Sequence, residues 1–187
     1  MMTPSPFSSL PDSFHEAWMK IALKEAEIAA ENGETPMGCV IVQMLPDGST
    51  KIVGKARNQT ETLKDPTAHA EMIAITQATA ATGDWRLNDC ALYVTKEPCP
   101  MCGGAIVLAR PSFVCWAVSD PKRGAQTVFQ IFSHPGVNHH PTLRSGICES
   151  EALSVLQAFF RQRRKENAEK SSVSPTATPP DQASKRS

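Results

Sequence analysis

Two short stretches carry the residues whose types and spacing could do chemistry. In "TKEPCPMCGGA", residues 95–105, Cys99 and Cys102 stand three apart, with one proline before the pair and another inside it. In "DPTAHAEMIAI", residues 65–75, His69 is followed two residues later by Glu71. Thiolate sulfur and imidazole nitrogen are the donors that zinc takes in tetrahedral sites. A Cys-x-x-Cys pair can also be a redox couple, but that reading leaves His69 and Glu71 unexplained. A closed structural zinc needs a fourth Cys or His in a second pair. None is offered: Cys39, Cys90 and Cys115 lie within or at the edge of apolar strands, and Cys148, His15, His134, His139 and His140 have no paired ligand spacing. Three protein ligands plus an open position is the catalytic arrangement, so catalytic zinc is favoured over structural zinc. Glu71 is near enough to serve such a site without filling it.

The elements around these stretches must bring them together. Apolar spacing predicts a helix from Ser13 up to the Asn32-Gly33 stop, interrupted at Glu25. "MGCVIVQM" and "KIVGKARN" read as two strands of a hairpin joined by "LPDGS". A helix follows over "AHAEMIAITQATAATG", with Thr67 as its cap. "CALYVT" and "FVCWAVS" are two further strands, separated by a short helix that Pro111 ends. Spacing of three puts both sulfurs on one face of that helix, and its N-terminal N–H groups favour thiolate. The order predicts an α/β layered domain, a central mixed sheet flanked by helices, with parallel pairing after the hairpin. Two strand-to-helix connections then place His69 and the cysteines at the same end of the sheet, where open α/β sheets hold their ligands. Residues 120–146 are long for a plain connection and read as a functional loop. A last helix spans about 150–170, with Leu153, Leu156, Phe159 and Phe160 as an apolar stripe and Arg161, Arg163, Arg164 and Lys165 as a basic end.

Bulk properties set the frame. The chain has 187 residues, enough for one domain, and 41% hydrophobic with 20% charged residues is ordinary for a soluble globular protein. Lys plus Arg equals Asp plus Glu at 19 each, so global charge offers no support for a nucleic-acid partner, although a local patch would suffice. The N-terminus lacks the basic and apolar regions of a signal peptide, and no run reaches the length of a membrane span. The expected location is therefore cytoplasmic, with reduced cysteines and no membrane partner. The division expected is a flexible Ser/Pro-rich arm over 1–12, one domain over 13–170, and a disordered tail over 171–187.

His69-Ala70-Glu71 followed by Pro98-Cys99-Pro100-Met101-Cys102 matches the H-x-E…P-C-x-x-C signature of zinc-dependent base deaminases. Beyond that signature, "ETPMGCVIV", "ARNQ", "DPTAHAE", "LYVTKEPCPMCGGAI", "SDPKRGA", "HPGVNH" and "FFRQRR" occur in the order and approximate spacing of bacterial tRNA-specific adenosine deaminases. The chain resembles that family over about residues 14–166. The resemblance implies a three-layer cytidine-deaminase-like fold and hydrolytic deamination of adenosine to inosine at the wobble position of a tRNA anticodon, using a zinc-activated water. It implies His69, Cys99 and Cys102 as ligands of one zinc per subunit and Glu71 as proton shuttle. Asn58 and the backbone N–H of Ala70 would contact the flipped base, and Asp120, Asn138, Phe160 and Arg164 the anticodon stem-loop. It also implies a homodimer. Ser119, Ala158 and His140 depart from the pattern at positions that bear on RNA binding. The alternative is a deaminase of a free nucleobase or nucleoside, of guanine or cytosine type, which shares the zinc chemistry but needs no basic helix. A non-catalytic RNA-binding scaffold with a retained zinc would have no use for Glu71.

Overall fold

Alternating apolar side chains along the central strands decide the layering. The computed structural model describes residues 5–173, with side chains to Lys170. Five strands, β1 (Gly38–Met44), β2 (Thr50–Arg57), β3 (Cys90–Lys96), β4 (Phe113–Val118) and β5 (Thr142–Ser145), form one sheet in the order β2-β1-β3-β4-β5. Strand β1 is antiparallel to both β2 and β3, whereas β3, β4 and β5 are mutually parallel neighbours. Four strands therefore run one way and β1 runs against them.

Because successive side chains point to opposite faces, each central strand feeds two cores. Cys39, Ile41, Leu92, Val94, Val114 and Trp116 face one side, against α3 (Ala70–Thr82) and α4 (Pro100–Ala109). Val40, Val42, Ala91, Tyr93, Phe113 and Cys115 face the other, against α1 (Asp12–Glu31) and α5 (Glu149–Val173). The result is the three-layer fold that the sequence predicts. Near-continuous burial of β3 and β4 is what a sheet covered on both faces requires. No described helix is long and apolar enough to cross a membrane.

Helix α3 buries Ala70, Ala74 and Ala78, a stripe of small side chains spaced by four. Its partner on β2 is Gly54, where an added Cβ would overlap the Ala74 carbonyl. The backbone of α3 is thus pressed against the sheet, and its first turn arrives at a fixed depth. Gly83, at φ +71, ends the helix in the left-handed region that favours glycine.

Several expectations need correction. The arm expected to be flexible over 1–12 is packed from Ser5 onward: Phe7 is fully buried against Phe113 and Phe14, and Ser5 shares a hydrogen bond with Ser112. Ser and Pro composition suggested a loose segment, but one aromatic ring had a core to enter. Thr67 is not a helix cap, because its N–H and hydroxyl both bond to Asp65. Helix α3 begins later, with His69 at the N-cap position. The connection after β4 contains β5, whose four residues carry too little alternation to stand out in the sequence. It also holds a 3-10 turn, Ile131–Ser133. A short helix, α2 (Thr60–Leu63), precedes α3. The tail expected to be disordered begins inside α5, and residues 174–187 lie outside the described residues.

Replacing Phe7 with alanine removes a buried ring from the α1 face of the sheet. The expected loss is about 3 kcal/mol of unfolding free energy, read as a lower denaturant midpoint. An unchanged midpoint would mean that residues 5–11 contribute nothing to the core.

Candidate active site

Strands β2 and β3 point the same way with β1 between them, so the helices that follow them start at the same end of the sheet. His69 occupies the N-cap position of α3, with φ −75 and ψ 152, and Cys99 occupies that of α4, with φ −73 and ψ 171. Pro100 opens α4, where its missing N–H costs nothing and its fixed φ suits the helix. One turn further, Cys102 turns its buried sulfur back toward the same point.

The three donor atoms converge. His69 Nδ1 lies 3.7 Å from Cys99 Sγ and 3.4 Å from Cys102 Sγ. All three ligand atoms are within 4.8 Å of one another. Tetrahedral zinc with ordinary Zn–N and Zn–S bonds holds nitrogen and sulfur roughly 3.6 Å apart, so the donor set fits that metal. Glu71 is outside this ligand cluster. Burial and hydrogen bonding drive the two thiols in opposite directions. A hydrogen bond from Cys102, followed by one from His69, brings the Cys99 thiol down to about 4 despite burial. The Cys102 thiol is pushed up by its bond to Cys99 and by burial. His69 is raised above its ordinary value, first by its hydrogen bond to Cys99. A divalent cation held here would favour the thiolate form of both cysteines.

His69 and Cys99 floor a pocket of about 530 Å³. Asn58, Glu71, Asp120 and Phe160 line it together with His69 and Cys99. Glu71 is 5% exposed, and burial raises its carboxyl above the usual carboxylate range. Ala70 opens α3, so its N–H is among the four with no partner inside the helix. Phe160 is 45% exposed at the rim, which removes it from the apolar stripe predicted for α5. In that stripe Leu156 is buried, while Leu153 and Phe159 are half-buried. Arg164 lies outside the pocket, in an adjoining groove with Leu156, Gln157, Phe160 and Arg161. Phe160 lines both. Asn138 is exposed and does not line the pocket.

Asp120 does line the pocket, but its carboxylate is engaged. It pairs with Lys96 and accepts hydrogen bonds from the backbone N–H groups of Lys122 and Arg123. Burial alone would raise its pKa, but these partners together hold it below the usual range. Its local work is to shape the turn that carries Lys122 and Arg123, two pocket-lining cations that sequence reading did not single out. Sequence reading did not single out Glu97 either. Its carboxylate, 4% exposed, accepts from the N–H groups of Asp120 at 2.8 Å, Gln126 at 3.0 Å and Thr127 at 2.7 Å. The Thr127 hydroxyl donates to it as well. Gly124 leaves room for this carboxylate, since a Cβ there would overlap it. The Ala125 N–H donates to the Pro98 carbonyl. The loop after β4 is thereby tied to the turn that holds the cysteines. Glu34, also missed, is buried beneath Asn58. A carboxylate in an otherwise ordinary loop, "NGETP", gives no sign in the sequence that it will be covered.

Residues 12–118 match the cytidine and deoxycytidylate deaminase zinc-binding region. A tRNA-specific adenosine deaminase of Bacillus subtilis is 44% identical over 151 residues, covering 80% of this chain and 91% of that protein. The one from Agrobacterium fabrum is 42% identical over 148 residues, covering 79% and 94%. A structure from work on A-to-I editing by tRNA deaminases at the wobble position of transfer RNA superposes with a TM-score of 0.70 at 41% identity, covering 75% of this chain and 99% of the other. A guanine deaminase structure from Bacillus subtilis superposes at 0.53 with 34% identity, covering 79% and 94%.

Replacing Cys99 with alanine is expected to abolish stoichiometric metal. Elemental analysis of the purified variant should find zinc near zero where the wild type carries it. A full complement in the variant would remove Cys99 from the ligand set.

Proposed function

Because the chain belongs to the cytidine and deoxycytidylate deaminase family, we propose that it converts adenosine to inosine at the wobble position of a tRNA anticodon. The observation that carries the choice of substrate is the course of α5. It brings Phe160 to the rim of the pocket that contains Glu71, and the groove beyond Phe160 is walled by Arg161 and Arg164. A free base would end at the pocket, whereas a polynucleotide continues past an aromatic face onto cations. The tRNA-specific relatives support the same reading.

His69, Cys99 and Cys102 would hold one zinc per subunit. Bound there, zinc supplies Lewis-acid activation of a water near neutral pH. Glu71 takes one proton from that water and passes it to N1 of the purine, then carries the second, from the new C6 hydroxyl, to the departing amine. Water adds at C6, the C6–N bond breaks, and ammonia and inosine are the products. Burial raises the Glu71 carboxyl above the usual carboxylate range, the direction that favours a proton shuttle over a permanently ionised group. The Ala70 N–H and the Asn58 amide would fix the ring against the site. Asp120 acts in this reading through the turn it shapes, and Asn138 would reach RNA from outside the pocket.

A base stacked in a loop cannot enter a pocket floored by His69 and Cys99, so the nucleotide must be splayed out. An anticodon loop allows this without opening a base pair. The functional unit in this reading is a homodimer in the cytoplasm.

Glu71→Ala is expected to keep its zinc but lose roughly 10²–10⁴-fold in turnover on a tRNA with adenosine at the wobble position, read by sequencing because inosine pairs as guanosine. Normal turnover would remove Glu71 as shuttle. A wild-type protein that holds zinc, leaves this tRNA unchanged and turns over guanine or cytosine would replace the substrate reading. Neutralising Arg163 and Arg164 together should weaken RNA binding and lower the slope of log K against log salt by about two. An unchanged slope would return that end of α5 to a solvated face.

A further inference from the structure

Glu34 is a carboxylate with only 1% of its surface exposed, and among the described residues no cation pairs with it. Such a charge is costly unless hydrogen bonds satisfy it. Four donors do so, and all come from one turn. The Thr62 N–H donates at 2.7 Å, the Glu61 N–H at 3.1 Å, the Thr60 hydroxyl at 3.3 Å and the Asn58 side-chain Nδ2 at 3.3 Å. Burial alone would raise this carboxyl, but these donors hold it below the usual range, so it is ionised at neutral pH.

An ionised carboxylate can only accept. The side-chain amide of Asn58 must therefore turn its nitrogen, not its oxygen, toward Glu34. The second hydrogen of that nitrogen is directed to the Thr60 hydroxyl, at 3.1 Å. Free rotation, which would let an asparagine present either edge, is closed. The same turn is tied onward by the Gln59 N–H to the Ala68 carbonyl, next to His69. Glu34 thus sits beneath both the base-facing amide and the approach to the metal.

We infer that Glu34 is a positioning residue that locks the amide orientation of Asn58, and so sets the donor and acceptor pattern that the pocket offers to the edge of a purine. This rests on the proposed role of Asn58 in holding the base. A purely structural staple would hold the turn without affecting which base is accepted. Glutamine at position 34, read with and without the Asn58 amide, separates the two roles. Glu34 Oε1 accepts from the Thr62 N–H and Oε2 from the other three donors. With the glutamine oxygen kept on Thr62, its NH2 group takes the Oε2 place, where the Thr60 hydroxyl can turn to accept and the Asn58 amide is favoured reversed.

The test is a double-mutant cycle on the zinc-loaded protein, with an anticodon stem-loop as substrate. Glu34→Gln should lower kcat/KM roughly tenfold, the scale of one misplaced buried polar partner, with zinc content unchanged. Combined with Asn58→Ala it should cost nothing further. Equal losses in both backgrounds would overturn the inference. A readout free of activity accompanies it: the Asn58 side-chain NH2 protons, followed by nitrogen-15 NMR, should exchange slowly in the wild type. Rapid exchange there overturns the inference even if no variant folds. If the wild type fails to convert the stem-loop, the substrate reading falls, and the exchange measurement still decides the lock.

Discussion

The site depends on two helices that begin within contact distance of each other at one end of the sheet. His69 and Cys99 are both N-cap residues, and their side chains meet at 3.7 Å although they are thirty positions apart in the chain. This meeting is possible because β1 lies between β2 and β3 and runs against both, leaving those two strands parallel. The depth of α3 is set by backbone packing, with Gly54 admitting the Ala74 carbonyl. A bulkier contact would lift the whole first turn, and with it His69 and Glu71.

Around that meeting point, buried carboxylates organise the walls. Glu97 gathers the N–H groups of the loop after β4, and Glu34 gathers those of the turn before α3. Neither is neutralised by a cation among the described residues; each is satisfied by backbone N–H groups together with nearby side-chain donors. Such groups are demanding, because a half-satisfied one would destabilise the fold. Fully satisfied, they hold two irregular segments in single conformations. Glu71 is the contrasting case. It is buried too, but where donors hold Glu34 below the usual carboxylate range, burial raises Glu71 above it.

The outer part of the site obeys looser rules. Phe160 is almost half exposed, and the cations of α5 have no burial to fix them. That is suitable for a surface on which a long, charged ligand is laid down, where attraction is spread over several contacts and screened by salt. In the proposed reading, chemistry sits on rigid helix starts, while capture is left to a helix face.

Sequence alone determined the periodic and the chemical parts of this protein. Near-continuous apolar runs in "GCVIVQM", "CALYVTK" and "FVCWAV" mark strands buried on both faces, because apolar patterning is a local property of the chain. His69, Cys99 and Cys102 were legible because metal ligation restricts residue type and spacing, and Glu71 because it stands two residues from one of those ligands. Only the tertiary structure decided what depends on distant partners. Phe7 became core because Phe113 and Phe14 offered it a surface. Asp120 turned inward to Lys96 and its own loop, Phe160 left the apolar stripe for the pocket rim, and β5 formed because β4 supplied an edge. Glu34 and Glu97 look like solvated charges in one dimension. Their burial, and the donors that justify it, exist only once segments far apart in sequence have been folded around them.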